Sequence, residues 1–261
     1  MYCVKCNRYT DSEMCPECGN ETVEVAPHVV YWCDNCKIPI IHTPSKNRIT
    51  CPRCGSEAHY LCADTRPVFP EERLLFEVMI GKPLVFQGDS VWAVGSKYYV
   101  NGKPNSITAA TILATDPNAI RKQLDEYGPS NTSEGFERHK NAFIEANKDH
   151  LDALVREASN FIVNASKGYP DENLVVSFSG GKDSTVTADL AVRALSNPYL
   201  VHIFGDTTLE FPSTIEYGKR FRDNHPLAIF KVAKNYEQDF YDVAKVIGPP
   251  ARTMRWCCSM F

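Results

Sequence analysis

The sequence predicts an α/β protein: a doubly wound parallel sheet in the last third, behind two small cysteine-ligated modules and a small α+β module. Two patterns carry this. From Asn173 onward, apolar runs alternate strand, helix, strand, helix, strand. Between Cys3 and Cys54 the pair Cys-x-x-Cys occurs four times. The length, 261 residues, also exceeds what one compact core usually needs.

The N-terminal cysteines form an internal repeat. Cys3-Val-Lys-Cys6 is followed after 8 residues by Cys15-Pro-Glu-Cys18, and Cys33-Asp-Asn-Cys36 after 14 residues by Cys51-Pro-Arg-Cys54. Each unit is too short to hold an apolar core, and two such pairs suit tetrahedral four-cysteine zinc with no open coordination position. The reading is therefore two structural zinc ribbons, 1–26 and 27–65, with rubredoxin-like iron as the chemical alternative. The flanking Pro and Gly favour the tight turn that aims both sulfurs inward. His28, His42 and His59 are not needed as ligands, and Cys62 is expected to be a buried thiol. Lys5, Arg8, Tyr9, Lys37, Lys46, Arg48 and Arg53 offer contacts to RNA, but Asp11, Glu13, Glu17, Glu21 and Glu24 break any uniform basic stripe.

Residues 66–127 read as the α+β module. Pro70 opens and Gly81 closes a helix over Glu71 to Ile80, and strands are expected at Pro83–Phe86, Ser90–Val94 and Lys97–Val100. Gly95-Ser96 and Asn101-Gly102 supply turns. In 128–172, a turn-rich stretch over 128–135 leads to apolar residues at helical spacing from Phe136 to Ile162, including Phe143, Leu151 and Phe161. That helix, with one break allowed, is expected to pack on the sheet of the following domain.

In 173–261, Leu174–Phe178, Tyr199–Phe204 and Leu227–Val232 are continuous apolar runs, as buried parallel strands require. Val186, Leu190 and Ala194 mark one face of the first intervening helix, and Phe211 to Asn224 forms the second, with Pro212 in its first turn. Ligands are expected at the C-terminal edge of such a sheet.

Ser179-Gly180-Gly181-Lys182-Asp183-Ser184 follows the first strand and opens the first helix. Its glycines permit a tight turn and close approach of an anion, and the helix N-terminus presents free N–H groups. Lys182 adds charge, while Ser179 and Ser184 add hydroxyl donors. The spacing differs from the Walker A loop, because Asp183 separates lysine from serine. The segment resembles the S-G-G-x-D-S loop of the pyrophosphate-loop superfamily, whose members bind ATP or an adenylyl anhydride. That resemblance gives Asp183 the task of ordering the loop or a Mg2+ ion.

Two later segments narrow the resemblance to the phosphoadenylyl-sulfate (PAPS) reductase-like family. Asp206-Thr-Thr-Leu-Glu210-Phe-Pro-Ser-Thr214 resembles D-T-G-x-E-F-P-x-T, with Thr208 where the family has glycine; that departure threatens to crowd the nucleotide edge. The stretch from Gly248 through Arg252 and Arg255 to Trp256-Cys257-Cys258 resembles a later R-W-C-C motif. The resemblance covers about the last third. It implies an adenine nucleotide ligand (PAPS, APS or ATP) near Asp206 and Glu210, with Arg252 and Arg255 forking onto phosphate or sulfate oxygens. A further implication is a [4Fe–4S] cluster at Cys257 and Cys258, completed by a second cysteine pair; a metal-free thiol pair is the alternative. Neither that second pair nor the family's C-terminal catalytic cysteine motif occurs within residues 1–261, so the reading expects them in a missing C-terminal region or a second subunit. No catalytic residue is assigned.

The leading functional expectation is sulfur reduction or transfer from an adenylyl-sulfate-type nucleotide, as in sulfate assimilation, with a thiol or ferredoxin-type electron donor. An ATP-dependent tRNA or DNA thiolation enzyme is the alternative, and a non-enzymatic nucleotide-binding scaffold the third reading. The net charge of −4 argues against a surface that coats nucleic acid generally. No run approaches the roughly 18 apolar residues of a membrane span, and no signal segment opens the chain, so a cytoplasmic location and no membrane partner are expected.

Overall fold

The computed structural model describes residues 1–3, 5–6, 8–10, 12–22, 28–45 and 47–260. Asp11, Glu24 and Lys46, named above, lie outside them. The chain forms two units, Met1–Leu151 and Asp152–Phe261. Among the described residues, no helix is long and apolar enough to cross a membrane.

In the first unit, β1 (Tyr2–Cys3) and β2 (Arg8–Tyr9) form an antiparallel pair in ribbon 1. Ribbon 2 is an antiparallel sheet of β3 (Val29–Cys33), β4 (Ile38–His42), β5 (Ile49–Thr50) and β6 (Glu57–Cys62), in the order β4-β3-β6-β5. A second antiparallel sheet contains β7 (Arg66–Pro67), β8 (Val91–Val94), β9 (Lys97–Val100) and β10 (Lys103–Asn105). Helix α1 (Pro70–Met79) covers it, burying Phe76 with Val68, Val91 and Val100. The two sheets meet closely at one point: Gly102, at φ 81°, leaves so little room that a Cβ there would lie 2.4 Å from Trp32 Nε1.

Pro83–Phe86 is a turn, not the expected strand. The buried carboxylate of Glu77 accepts the amides of Leu84 (2.9 Å) and Phe86 (2.7 Å), satisfying locally the donors that a strand ladder would use. Arg73, equally buried, lies 3.4 Å from Glu77 and donates to Asn131 and to the carbonyls of Thr132 and Gln87, tying this turn to the 128–132 stretch.

After α2 (Ala109–Ala114) and α3 (Pro117–Tyr127), the expected long helix appears as α4 (Glu134–Ala146) and α5 (Lys148–Ser166), broken at Asn147. Its packing corrects the sequence expectation. Helix α4 docks on ribbon 2, where Ala142 and Ala146 join Val29, Tyr31, Ile38, Ile40 and Ile49 in one core. Asn147 fixes the break there: its Oδ1 accepts from Ile41 N (2.7 Å), and its Nδ2 donates to Pro39 O (3.0 Å) and Phe143 O (2.8 Å). No residue of α5 is buried, and Phe161 is 72% exposed.

The second unit bears out the α/β plan. Strands β11 (Val175–Phe178), β12 (Val201–Asp206) and β13 (Ile229–Lys234) are parallel and ordered β11-β12-β13. They are linked by α6 (Lys182–Leu195) and α7 (Pro212–Asn224), then followed by α8 (Phe240–Ile247) and the short α9 (Cys257–Met260). These three strands supply one winding direction of the doubly wound plan. Their core contains Val176, Phe178, Leu200 and Phe204 with Ala188, Ala191 and Phe221. Each aromatic ring sealed there contributes about 2–3 kcal/mol of apolar burial.

Two details differ from expectation. The strands are buried on one face only, because the helical residues of this core all join the face carrying Val176, Phe178 and Phe204; Val175 and Ile229 in the opposite row are exposed. On α6 the inward residues are Ala188, Ala191, Val192 and Leu195, whereas Val186 is 57% exposed.

Candidate nucleotide and metal sites

The loop residues Ser179–Ser184 connect β11 to α6 at the C-terminal sheet edge. Gly180 takes φ 74°, a backbone angle that favours glycine, and a Cβ there would press on Thr214 Cγ2 at 3.2 Å. Gly181 is the N-cap of α6 and supplies no side-chain cap, so the first-turn amides keep their capacity to bind an anion. The loop holds its own shape: Ser184 Oγ accepts from Ser179 N (3.2 Å) and Ser179 Oγ (3.1 Å) and donates to Gly181 O (3.0 Å). Tyr217 Oη donates to Thr185 Oγ1 (3.1 Å), bracing α7 against α6. Lys182 and Asp183 are exposed at the helix mouth.

Asp206 ends β12, and the register places it beside Lys234 at the end of β13. Its Oδ2 accepts from Lys234 Nζ at 2.7 Å, and its Oδ1 accepts from Thr208 N at 2.9 Å. Burial opposes the Asp206 charge, but the Lys234 ammonium and the Thr208 amide outweigh it and hold the carboxyl below its usual range. Glu210 sits close by: Oε1 accepts from Thr207 Oγ1 (2.8 Å), while Oε2 is buried without a partner. A cleft of about 290 Å³ opens beside this edge, lined by Asp206, Lys234, Lys219, Arg222, Phe230 and Tyr236. Lys234 was not foreseen, although its place at a strand end matches that of Asp206. Lys219 and Arg222 look like a solvated helix face in the sequence, yet both border this cleft.

Thr208, in place of the family's glycine, has φ 68°. Its hydroxyl accepts from Phe240 N at 2.9 Å and so satisfies an amide in the first turn of α8. Phe240 packs against Trp256 with ring centroids 4.9 Å apart and the planes tilted by 36°, and Trp256 Nε1 donates to Gly248 O at 3.1 Å, anchoring the Arg-Trp-Cys-Cys segment. Arg252 and Arg255 are exposed, and among the described residues neither enters an ion pair. Cys257 is half-buried; the side chain of Cys258 lies outside the described part, so the geometry of this pair is not assigned.

The first unit brings together both predicted cysteine sets: Cys3, Cys6, Cys15 and Cys18, and Cys33, Cys36, Cys51 and Cys54, the ligand atoms of each lying within 4.8 Å of one another. Sulfurs stand 3.5 Å apart for Cys3 and Cys18, 3.6 Å for Cys33 and Cys54, and 3.9 Å for Cys36 and Cys51. A tetrahedron with metal–sulfur bonds of about 2.3 Å has edges of about 3.8 Å, whereas a disulfide needs about 2.05 Å. The sets therefore fit a tetrahedral metal, zinc or iron. Cys6 N and Cys36 N donate to the sulfurs of Cys3 and Cys33 at 3.4 Å, and Gly19 and Gly55, at φ 68° and 73°, close the paired turns. Burial pushes the Cys33, Cys36 and Cys51 thiols up, so thiolates there gain their stability from a cation. Neither set includes a histidine, and Cys62 is a buried thiol pushed up to about 11 by burial. The basic residues of ribbon 2 are partly neutralised: Arg48 pairs with Glu57 and Arg53 with Glu145.

Comparison with known proteins adds three findings. Residues 173–261 match the phosphoadenosine phosphosulfate reductase domain family. An uncharacterized protein of Methanocaldococcus jannaschii is 32% identical over 136 residues, 52% of this chain and 27% of its own length. A second uncharacterized protein of that organism is 32% identical over 120 residues, 45% of this chain and 28% of its own. The chain thus spans little more than a quarter of these relatives, and no solved structure matches it. On the loop, the strand-end carboxylate and this match, residues 173–261 form a domain of the phosphoadenosine phosphosulfate reductase family, in a chain that also carries two four-cysteine sites shaped for metal.

Proposed function

We propose that this domain binds an adenylyl-sulfate-type nucleotide and that the enzyme reduces or transfers its sulfur. The observation that carries the reading is the joint placement, at one sheet edge, of an uncapped helix N-terminus and the Asp206–Lys234 couple. The loop amides and Lys182 hold phosphate or sulfate oxygens, and Asp183 orders the loop or a Mg2+ ion. Asp206, with both oxygens engaged, keeps Lys234 at the edge of the cleft, where its cation meets a second anionic group of the nucleotide. Arg252 and Arg255 are the exposed cations available to the sulfate.

The chemistry follows from adenylyl sulfate itself. A thiolate attacks the sulfur, the sulfur–oxygen bond to phosphate breaks, and the adenosine phosphate leaves with that electron pair. The resulting S-sulfo adduct is attacked at its thiol-derived sulfur by a second thiolate; a disulfide forms and sulfite departs. A thiol or ferredoxin-type donor then restores the dithiol.

Calorimetry of the full chain with PAPS, APS and ATP tests the reading. Binding of PAPS or APS in preference to ATP, lost in Gly180→Ala, is the expected result. Tight binding of ATP with no response to either sulfate would overturn it and favour nucleic-acid thiolation by adenylation.

A further inference from the structure

Thr208 joins the end of β12 to the segment that carries Arg252 and Arg255. Its amide donates to Asp206 Oδ1 at 2.9 Å. Its backbone is left-handed, at φ 68°, where a β-branched residue is strained and glycine is not. Such strain persists only where the surroundings over-determine it. Here the hydroxyl is fixed by accepting from Phe240 N at 2.9 Å. Helix α8 already has an N-cap, Asp239, whose carboxylate accepts from Asp242 N at 2.8 Å. Phe240 N is a further first-turn donor that no carbonyl of the helix can reach, and Thr208 satisfies it. The Phe240 ring packs on Trp256, which is buried and holds Gly248 O through its indole N–H. Between Gly248 and Trp256 the chain closes a tight turn: Ala251 N donates to Met254 O at 3.1 Å, and Met254 N to Ala251 O at 3.0 Å. Arg252 lies in that turn and Arg255 follows it, both exposed. Contacts thus run unbroken from Asp206, the partner of Lys234, to the segment bearing both arginines.

We infer that Thr208 is a positioning residue, fastening the Arg252–Arg255 segment to the loop after β12 so that a sulfate-bearing nucleotide meets both arginines already arranged. This role rests on the nucleotide reading above and deepens it, because it assigns recognition of the sulfate to a link that glycine at this position cannot make. Glycine has no hydroxyl, so Phe240 N loses its acceptor and α8, with Trp256 against it, loses this tie to the loop. Cations that are not held in place must be ordered when the ligand binds, which lowers affinity for the group they contact. On this reading the departure from the family's glycine is a fastening and not an obstruction.

The test compares the full chain with its Thr208→Gly and Thr208→Ser variants in two measurements. The first needs no ligand: hydrogen exchange, read by mass spectrometry, over residues 248–256. Exchange there should rise about fivefold in the glycine variant, the equivalent of one lost hydrogen bond, and stay at the parent rate in the serine variant. The second is calorimetry with APS against AMP, and with PAPS against adenosine 3′,5′-bisphosphate, pairs that differ by the sulfate alone. Thr208→Gly should weaken the sulfated member about fivefold and its partner less than twofold, and Thr208→Ser should restore the parent value. Unchanged exchange over 248–256 in Thr208→Gly would overturn the inference. So would equal weakening of both members of a pair, or tighter binding of the sulfated one, which is what relief of crowding would give. A parent chain that binds none of the four nucleotides would strike the nucleotide reading and the sulfate role together, whereas sulfated-nucleotide binding indifferent to Thr208→Gly would strike this inference alone.

Discussion

Thr208 offers a test in which two opposing terms can be separated. A β-branched residue at φ 68° carries a backbone cost of about 1–2 kcal/mol. Its hydroxyl, 2.9 Å from Phe240 N, returns about 1 kcal/mol by satisfying a first-turn amide of α8. Thr208→Ala keeps the cost and loses the bond, so the second unit should be destabilised by about 1 kcal/mol. Thr208→Gly loses the bond but also removes the strain, so its net change should be near zero. Thr208→Ser keeps the bond and should stay close to the parent.

Two measurements distinguish these outcomes. Hydrogen exchange at the Phe240 amide should accelerate about fivefold in both the alanine and glycine variants, since both lack the acceptor. The urea midpoint of the second unit should fall only in the alanine variant. Equal destabilisation by alanine and glycine would show that no backbone strain is stored at this position. Unchanged exchange in both would show that the Thr208–Phe240 bond does not form in solution.

Other perturbations have defined outcomes. Gly102→Ala places a Cβ 2.4 Å from the Trp32 indole at φ 81°, and overpacking plus backbone strain should lower stability by about 2–4 kcal/mol, seen as a fall in the melting temperature of the first unit. Glu77→Ala strands Arg73 in a buried site and frees the amides of Leu84 and Phe86; a loss of about 3–5 kcal/mol is expected in chemical denaturation. His202 is fully buried, with Nδ1 on Leu200 O at 2.8 Å and Nε2 unpartnered, and burial holds its pKa below the usual value. The unfolded chain therefore takes up the proton first, and stability should decline as pH falls below about 6.5 until the folded-state pKa is passed. His202→Phe should flatten that part of the slope in denaturation series at several pH values; an unaltered slope would refute the assignment.

How much of this was legible depended on whether the signal was local. Cysteine spacing announces a tetrahedral site because four sulfurs and two tight turns need nothing beyond their own segment. The loop after β11 was equally plain, since strand, glycines and helix start are contiguous. The Pro83–Phe86 turn was not, because its amides are captured by Glu77, a helix residue of α1, and nothing in a four-residue apolar run reports that carboxylate. The partner of α4 was hidden for a related reason. Periodicity tells which face of a helix is apolar, whereas the choice between two available sheets is made by Ala142, Ala146 and the hydrogen bonds of Asn147 to β4. Lys234 was missed because a lone lysine after an apolar run has no pattern of its own; only the strand register pairs it with Asp206.

That register also decides which charge the proposed nucleotide edge presents. Without Lys234, Asp206 would be a mostly buried carboxylate with one amide donor, and it would tend to take up a proton. With Lys234, the pair stays charged but is shielded, and the ammonium, one-third exposed, remains the outward-facing partner. On the proposed reading, an arriving phosphate or sulfate meets a fixed cation rather than a carboxylate that would repel it. Lys234→Met should then weaken anionic nucleotide binding more than Asp206→Asn, since asparagine can still hold the lysine through its carbonyl. If calorimetry ranks the two substitutions the other way, the carboxylate itself contacts the ligand and Lys234 serves only to keep it charged.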